Sequence, residues 1–122
     1  MGSFEVKAKL ANLDAPARTE ELSLRVDRRV TLSWIPRTVL ERLGVRVFSR
    51  LPFTFTDERT MERETSAVLL TIDGVTAPVP VVFGEAGEEA VLGMTALEGL
   101  GFMVDPVAQK LAPRDLLALS RV

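Results

Sequence analysis

Residues 22–36 read LSLRVDRRVTLSWIP. Leu22, Leu24 and Val26 alternate with Ser23 and Arg25, the period of two that turns one face of a strand to a core and the other to solvent. In that phase Asp27 falls on the polar side and leaves the sheet at the strand end, followed at once by Arg28 and Arg29. Val30 to Ile35 is β-branched and aromatic, so it reads as another short extended piece. Pro36 suits the first residue of a helix, where its missing N–H costs nothing. Val39, Leu40 and Leu43 give that helix an apolar face, and Gly44 closes it.

On the N-terminal side, Phe4, Val6, Ala8 and Leu10 alternate with Ser3, Glu5, Lys7 and Lys9, a first strand that pairs with the second as a hairpin. Ala11 to Thr19 contains Asn12, Asp14 and Pro16 and reads as a loop. On the C-terminal side, Val45 to Thr56 and Met61 to Ile72 form a long hairpin, with Asp57, Glu58, Arg59 and Thr60 as its charged turn. Asp73-Gly74 predicts a type I′ turn into a strand over Val75–Phe83. Pro78 and Pro80 place that strand beside an edge or an irregularity. Glu85 to Glu89 reads as a solvated acidic loop without the spacing of a cation site. Val91, Leu92 and Gly93 lead into a helix over Met94–Leu100 closed by Gly101, and Phe102–Val104 and Lys110–Pro113 are extended. Leu116, Leu117 and Leu119 in the tail suggest a helical turn. Seven to nine short strands and two short helices make a mostly β chain, a small closed or sandwich-like barrel. We expect one domain over 1–122, with its core in about 4–113 and a tail over 114–122.

Composition narrows the chemistry. The chain has no Cys, His or Tyr. That excludes thiol nucleophiles, Cys-based zinc sites, Ser-His-Asp triads and HExxH metalloproteases. Acid–base catalysis here means carboxylates. No metal or other cofactor is expected. The 15 Lys and Arg are spread among 17 Asp and Glu, without the basic stripe of a nucleic-acid binder. No apolar run reaches the roughly 18 residues of a membrane span, and MGSFEVKAKL alternates instead of forming a signal segment. The expected location is cytoplasmic, with no nucleic-acid or membrane partner.

Three features in this order resemble the retropepsin-like aspartic proteases. An Asp ends an alternating strand and a loop follows into WIPRTVLERLG; the hairpin from Phe53 to Glu64 stands where that family has its flap; and SAVLLTIDGVTAPVPVVFG precedes AVLGMTALEGLGF. Val91-Leu92-Gly93 resembles the family's hydrophobic-hydrophobic-Gly element, which passes under the active-site loop. The resemblance covers roughly Phe4 to Pro113 and is greatest to compact prokaryotic single-domain members. It implies a closed acid-protease barrel and a homodimer contributing one Asp27 per subunit. The two carboxylates would share a proton and activate water for hydrolysis of a peptide or protein substrate.

The family motif is Asp-Thr-Gly or Asp-Ser-Gly, usually followed by Ala; here it is Asp27, Arg28, Arg29, Val30. The hydroxyl residue that bonds across the dimer is replaced by Arg28, which accepts no hydrogen bond and brings charge to a buried setting. The glycine that admits close backbone approach is replaced by Arg29. An Arg within about 4–6 Å lowers a carboxylate pKa by about 1–3 units, so the shared proton is lost. The resemblance therefore implies an inactive or impaired aspartic endopeptidase, a pseudoenzyme. Two alternatives are activity retained through an unusual loop geometry, and a non-catalytic module whose Arg28/Arg29 cluster holds an anionic ligand or partner. An unrelated small β chain is the remaining one. Thr31 is either a loop-holding or an ordinary strand residue. Trp34 belongs to the core, a dimer contact or a substrate pocket, and Arg59 either touches a peptide or faces solvent.

Overall fold

The structure, a computed structural model, describes residues 4–120. Its nine strands are β1 (Glu5–Asn12), β2 (Ala15–Val26), β3 (Ser33–Pro36), β4 (Ser49–Thr54), β5 (Thr60–Ile72), β6 (Val75–Gly84), β7 (Val91–Leu92), β8 (Phe102–Asp105) and β9 (Lys110–Pro113). Helix α1 (Arg37–Arg42) follows β3 directly, and α2 (Met94–Leu100) lies between β7 and β8. Ser3, Arg121 and Val122 lie outside the described residues.

Seven strands pair in the order β1-β2-β7-β3-β6-β5-β4, and β1 also pairs with β5, so the pairings close into a ring with β4 appended. β8 and β9 form a separate two-stranded sheet. The ring closes through β5, which is long enough to pair with β4 over Thr60–Thr65, with β6 over Thr65–Ile72 and with β1 over Leu69–Thr71. Leu10, Leu24, Ile35, Leu40, Val68, Leu70, Val81, Phe83, Leu92 and Leu97 are all fully buried inside. Each such side chain contributes roughly 1.5–3 kcal/mol of transfer free energy. This is the mostly β architecture expected from the alternation.

Several local expectations hold. The Asp73-Gly74 turn has positive φ at both residues, 50° and 78°, as a type I′ turn requires. β6 gains its second neighbour, β3, only from Val81, so the prolines at 78 and 80 face an edge with no partner strand among the described residues. Gly44 and Gly101 follow their helices in left-handed conformation.

Four expectations need correction. Ala15–Thr19 is strand, not loop, because Asn12 compresses the turn to two residues. Its Oδ1 accepts the Asp14 N–H at 2.8 Å, its Nδ2 donates to the Leu43 carbonyl at 2.9 Å, and a register shift at Ala11/Asn12 absorbs the remainder. Pro36 ends β3 and caps α1 with ψ 133°, so the helix starts at Arg37, one residue later than expected. Val45–Phe48 is irregular, and extended pairing starts at Ser49. The tail over 114–120 has no helical turn, and Leu116, Leu117 and Leu119 are exposed there; three leucines without a packing partner cannot offset the cost of helix nucleation. Among the described residues, no helix is long and apolar enough to cross a membrane.

Candidate functional site

The topology itself creates the loop that carries Asp27. β7 lies between β2 and β3, parallel to β2 (Val26 beside Leu92) and antiparallel to β3 (Trp34 beside Val91). The connection from β2 to β3, residues 27–32, must therefore cross the chain leaving β7. That chain is Gly93. A Cβ built on Gly93 would stand 2.7 Å from the carbonyl carbon and oxygen of Leu32 and 2.8 Å from the Val30 oxygen. Its φ of −96° is open to any residue, so space alone demands glycine here.

The crossing is stitched by hydrogen bonds. Asp27 N donates to the Leu92 carbonyl at 3.0 Å, Met94 N to the Val30 carbonyl at 2.7 Å, and Thr95 N to the Thr31 carbonyl at 3.0 Å. Gly93 N donates to Oγ of Ser33, which is fully buried, at 3.0 Å. The first N–H groups of α2, which have no partner within the helix, thus hold the loop. Thr31 serves through its backbone carbonyl, and its side chain is exposed.

Asp27 is buried, with 8% exposure, and its carboxylate is fully occupied. Oδ1 accepts from Arg29 Nε and the Arg29 backbone N, both at 3.0 Å. Oδ2 accepts from Arg29 Nη2 at 2.8 Å and Arg25 Nη1 at 3.2 Å. The Arg29 guanidinium holds the Asp27 carboxyl far below the usual carboxylate range against the opposing effect of burial, and the Arg29 N–H and Arg25 add to it. Of the two arginines after Asp27, only Arg29 reaches the carboxylate. Arg28 is exposed and makes no hydrogen bond among the described residues, so its charge is not buried in the chain. Arg25 was absent from the expected site. It was within reach of sequence reasoning, because two residues apart on a strand means the same face.

Beside this cluster lies a cleft of about 380 Å³. Arg25, Arg29, Trp34, Phe53, Phe55 and Glu88 are among its lining residues; Asp27 is not, but both arginines bonded to it are. Trp34 packs edge-on against Phe53 at 5.5 Å and Phe55 at 5.7 Å between ring centroids. The hairpin therefore contributes an aromatic wall from the arm ahead of its tip. At the tip, Asp57, Glu58, Arg59 and Thr60 are all exposed. Arg59 folds back on Asp57 at 2.7 Å and over the Phe55 ring, and none of the four lines the cleft. The acidic loop is not simply solvated. Glu85 pairs with Arg37 at 2.9 Å, Glu88 with Arg63 at 2.5 Å and Glu89 with Arg25 at 3.0 Å. Among the described residues no cluster of acids could hold a metal ion.

No family model matches the sequence, and no curated protein matches it. Among solved structures, the chain is similar to EIAV protease complexed with the inhibitor HBY-793, with a TM-score of 0.59 and 14% identity. That match covers 82% of this chain and 89% of the viral one. At that identity the likeness shows the fold: the chain has a retropepsin-like fold.

Proposed function

We propose that this chain is an aspartic-protease relative that assembles as a homodimer around Asp27 and is silenced, wholly or largely, by the arginines on that carboxylate. The observation that carries this reading is the set of four hydrogen bonds from Arg25 and Arg29 to Asp27. A carboxylate dyad needs one member to hold a proton and donate it to the peptide carbonyl. A carboxyl held so far below its ordinary range stays ionised, and the general acid is missing. Support for a peptide ligand comes from the aromatic cleft beside the loop and from the fold shared with a viral protease. Asp27 is the residue placed as catalytic, Arg28 to Thr31 form its loop, Val91 to Gly93 support it, and residues 57–60 are the tip of a flap.

The test is proteolysis of a denatured polypeptide between about pH 4 and 7, with and without a pepstatin-type inhibitor. The parent is expected to be inert or feeble. Arg28→Thr/Arg29→Gly restores the motif but leaves Arg25 Nη1 at 3.2 Å from Oδ2, so adding Arg25→Gln should raise activity further. Inhibitor-sensitive cleavage by the parent that matches the restored variants and is lost in Asp27→Asn would refute the silencing. A strictly monomeric chain in sedimentation would remove the second carboxylate and with it the dyad.

A second reading is favoured by Arg28, exposed next to the equally exposed Arg29: a non-catalytic module that uses this pair for an anionic ligand. It predicts thermal stabilisation by polyphosphate that vanishes in Arg28→Gln/Arg29→Gln.

A further inference from the structure

Arg63, on the second arm of the β4–β5 hairpin, reaches back into the body of the fold. It is 11% exposed, and its Nη1 and Nη2 donate to Oε1 and Oε2 of Glu88 at 2.8 and 2.5 Å. The same guanidinium lies 5.2 Å from the ring centroid of Trp34 and 5.4 Å from that of Phe55. One side chain thus touches the aromatic residue of β3, the aromatic arm of the hairpin and the loop that leads into β7. The next residue of the strand, Glu64, points to the opposite face and bonds Arg37 at 2.5 Å, which in turn bonds Glu85. The acidic loop therefore holds β5 from both faces.

Glu88, Trp34 and Phe55 line the cleft, whereas Arg63, which contacts all three, is not among its lining residues. Without Arg63, a carboxylate would face a half-apolar recess, where an unpaired charge is costly and attracts a cation. Glu89 is matched by Arg25 in the same way. We propose that Arg63 is a positioning and specificity-determining residue of the cleft: its fork on Glu88 holds the Phe53–Phe55 arm against Trp34 and withdraws the Glu88 charge from the surface a ligand meets. This rests on the cleft being the ligand site proposed above, but the positioning half is independent of any ligand.

Trp34 is the sole tryptophan, so its fluorescence reports the wall directly. Arg63→Met keeps the stem that packs on the rings and removes the fork; Glu88→Gln breaks the pair from the other side. Both variants should raise acrylamide quenching of Trp34 about twofold or more, whereas Arg63→Lys, which keeps a charge near Glu88 and the rings, should fall between them and the parent. Quenching equal to the parent in both Arg63→Met and Glu88→Gln overturns the positioning role. Recognition is read with benzamide and benzamidine, two fragments of one shape that differ in charge, by NMR titration. Arg63→Met should shift the affinity ratio toward benzamidine by about tenfold, the size of about 1.4 kcal/mol, and Arg63→Met/Glu88→Gln should cancel that shift. An unchanged ratio in Arg63→Met overturns the specificity role. Failure of both fragments to bind the parent would reject the cleft as a ligand site and the specificity role with it, while the quenching result would still decide whether Arg63 positions the wall.

Discussion

Gly93→Ala and Gly99→Ala make the same chemical change six positions apart and should have opposite signs. At Gly93 the new methyl meets backbone at 2.7 Å, and backbone cannot swing aside as a side-chain end can. Overpacking of this kind costs about 1–3 kcal/mol. Relief by separating the crossing segments would stretch the bonds from Met94 and Thr95 to the Val30 and Thr31 carbonyls, each worth about 1 kcal/mol. A total of about 3–5 kcal/mol follows. For 122 residues, with an unfolding entropy of about 2.1 cal/mol/K per residue, 1 kcal/mol moves Tm by about 4 °C. Gly93→Ala should therefore lower Tm by about 12–20 °C. Gly99 lies within α2 with nothing within 4 Å of its built Cβ, so alanine there should add about 0.5–1 kcal/mol, or about 2–4 °C. Calorimetry on the two variants tests both. A Gly93→Ala protein melting within about 3 °C of the parent would refute the close crossing under residues 30–32.

Ser33→Ala leaves the buried Gly93 N–H without its acceptor and should cost about 1–3 kcal/mol in urea unfolding; a cost below about 0.5 kcal/mol would mean that the bond does not matter. Gly74→Ala places a methyl in open space but at φ 78°, so strain alone should cost about 1 kcal/mol, and Gly74→Asn should cost less. Because Asp27 titrates below its unfolded value, its stabilisation is complete above the unfolded range near pH 4 and is lost as pH falls through that range toward the folded value. Arg29→Met should therefore flatten the fall in urea midpoint between about pH 4 and 2, and an unchanged slope would show that Arg29 does not hold the carboxylate.

Legibility followed the range of the interactions. The strands that alternate, the turn at Asp73-Gly74 and the Gly-capped helices depend on neighbours a few residues away, and all were readable from spacing. Asn12 misled because its side chain does two jobs at once, and the Leu43 carbonyl it bonds lies 31 residues away. Asp27 could be singled out by its place at the end of β2. Its partners were legible only in part: Arg29 followed from adjacency, whereas Arg25, on the same face by strand period, was absent from the expected site. Arg63 and Glu88 stand 25 residues apart, and their meeting depends on how β5 and the loop before β7 close the ring. No local pattern encodes that, so the acidic loop looked merely solvated.

The charges around the cleft decide which chemistry the fold can still host. Catalysis by a carboxylate pair depends on one proton being held more tightly than an isolated Asp would hold it, and a second carboxylate about 3 Å away supplies that by repulsion. In a dimer built around Asp27, each carboxylate would feel one such repulsion. Against it stand two guanidiniums and a backbone N–H already bonded to the same oxygens, and the copy opposite brings its own arginines. Hydrogen bonds to the ionised form act on Asp27 directly, whereas repulsion from the second copy is diluted by every cation between them. Dimer formation alone therefore leaves Asp27 ionised. Removing Arg29 alone leaves Arg25 in place, itself fixed by Glu89 at 3.0 Å. The proton returns in part when Arg29 goes and most fully when both arginines are gone and the second carboxylate is present, which makes the Arg25/Arg28/Arg29 variant, assayed as a dimer, the sharpest comparison with the parent.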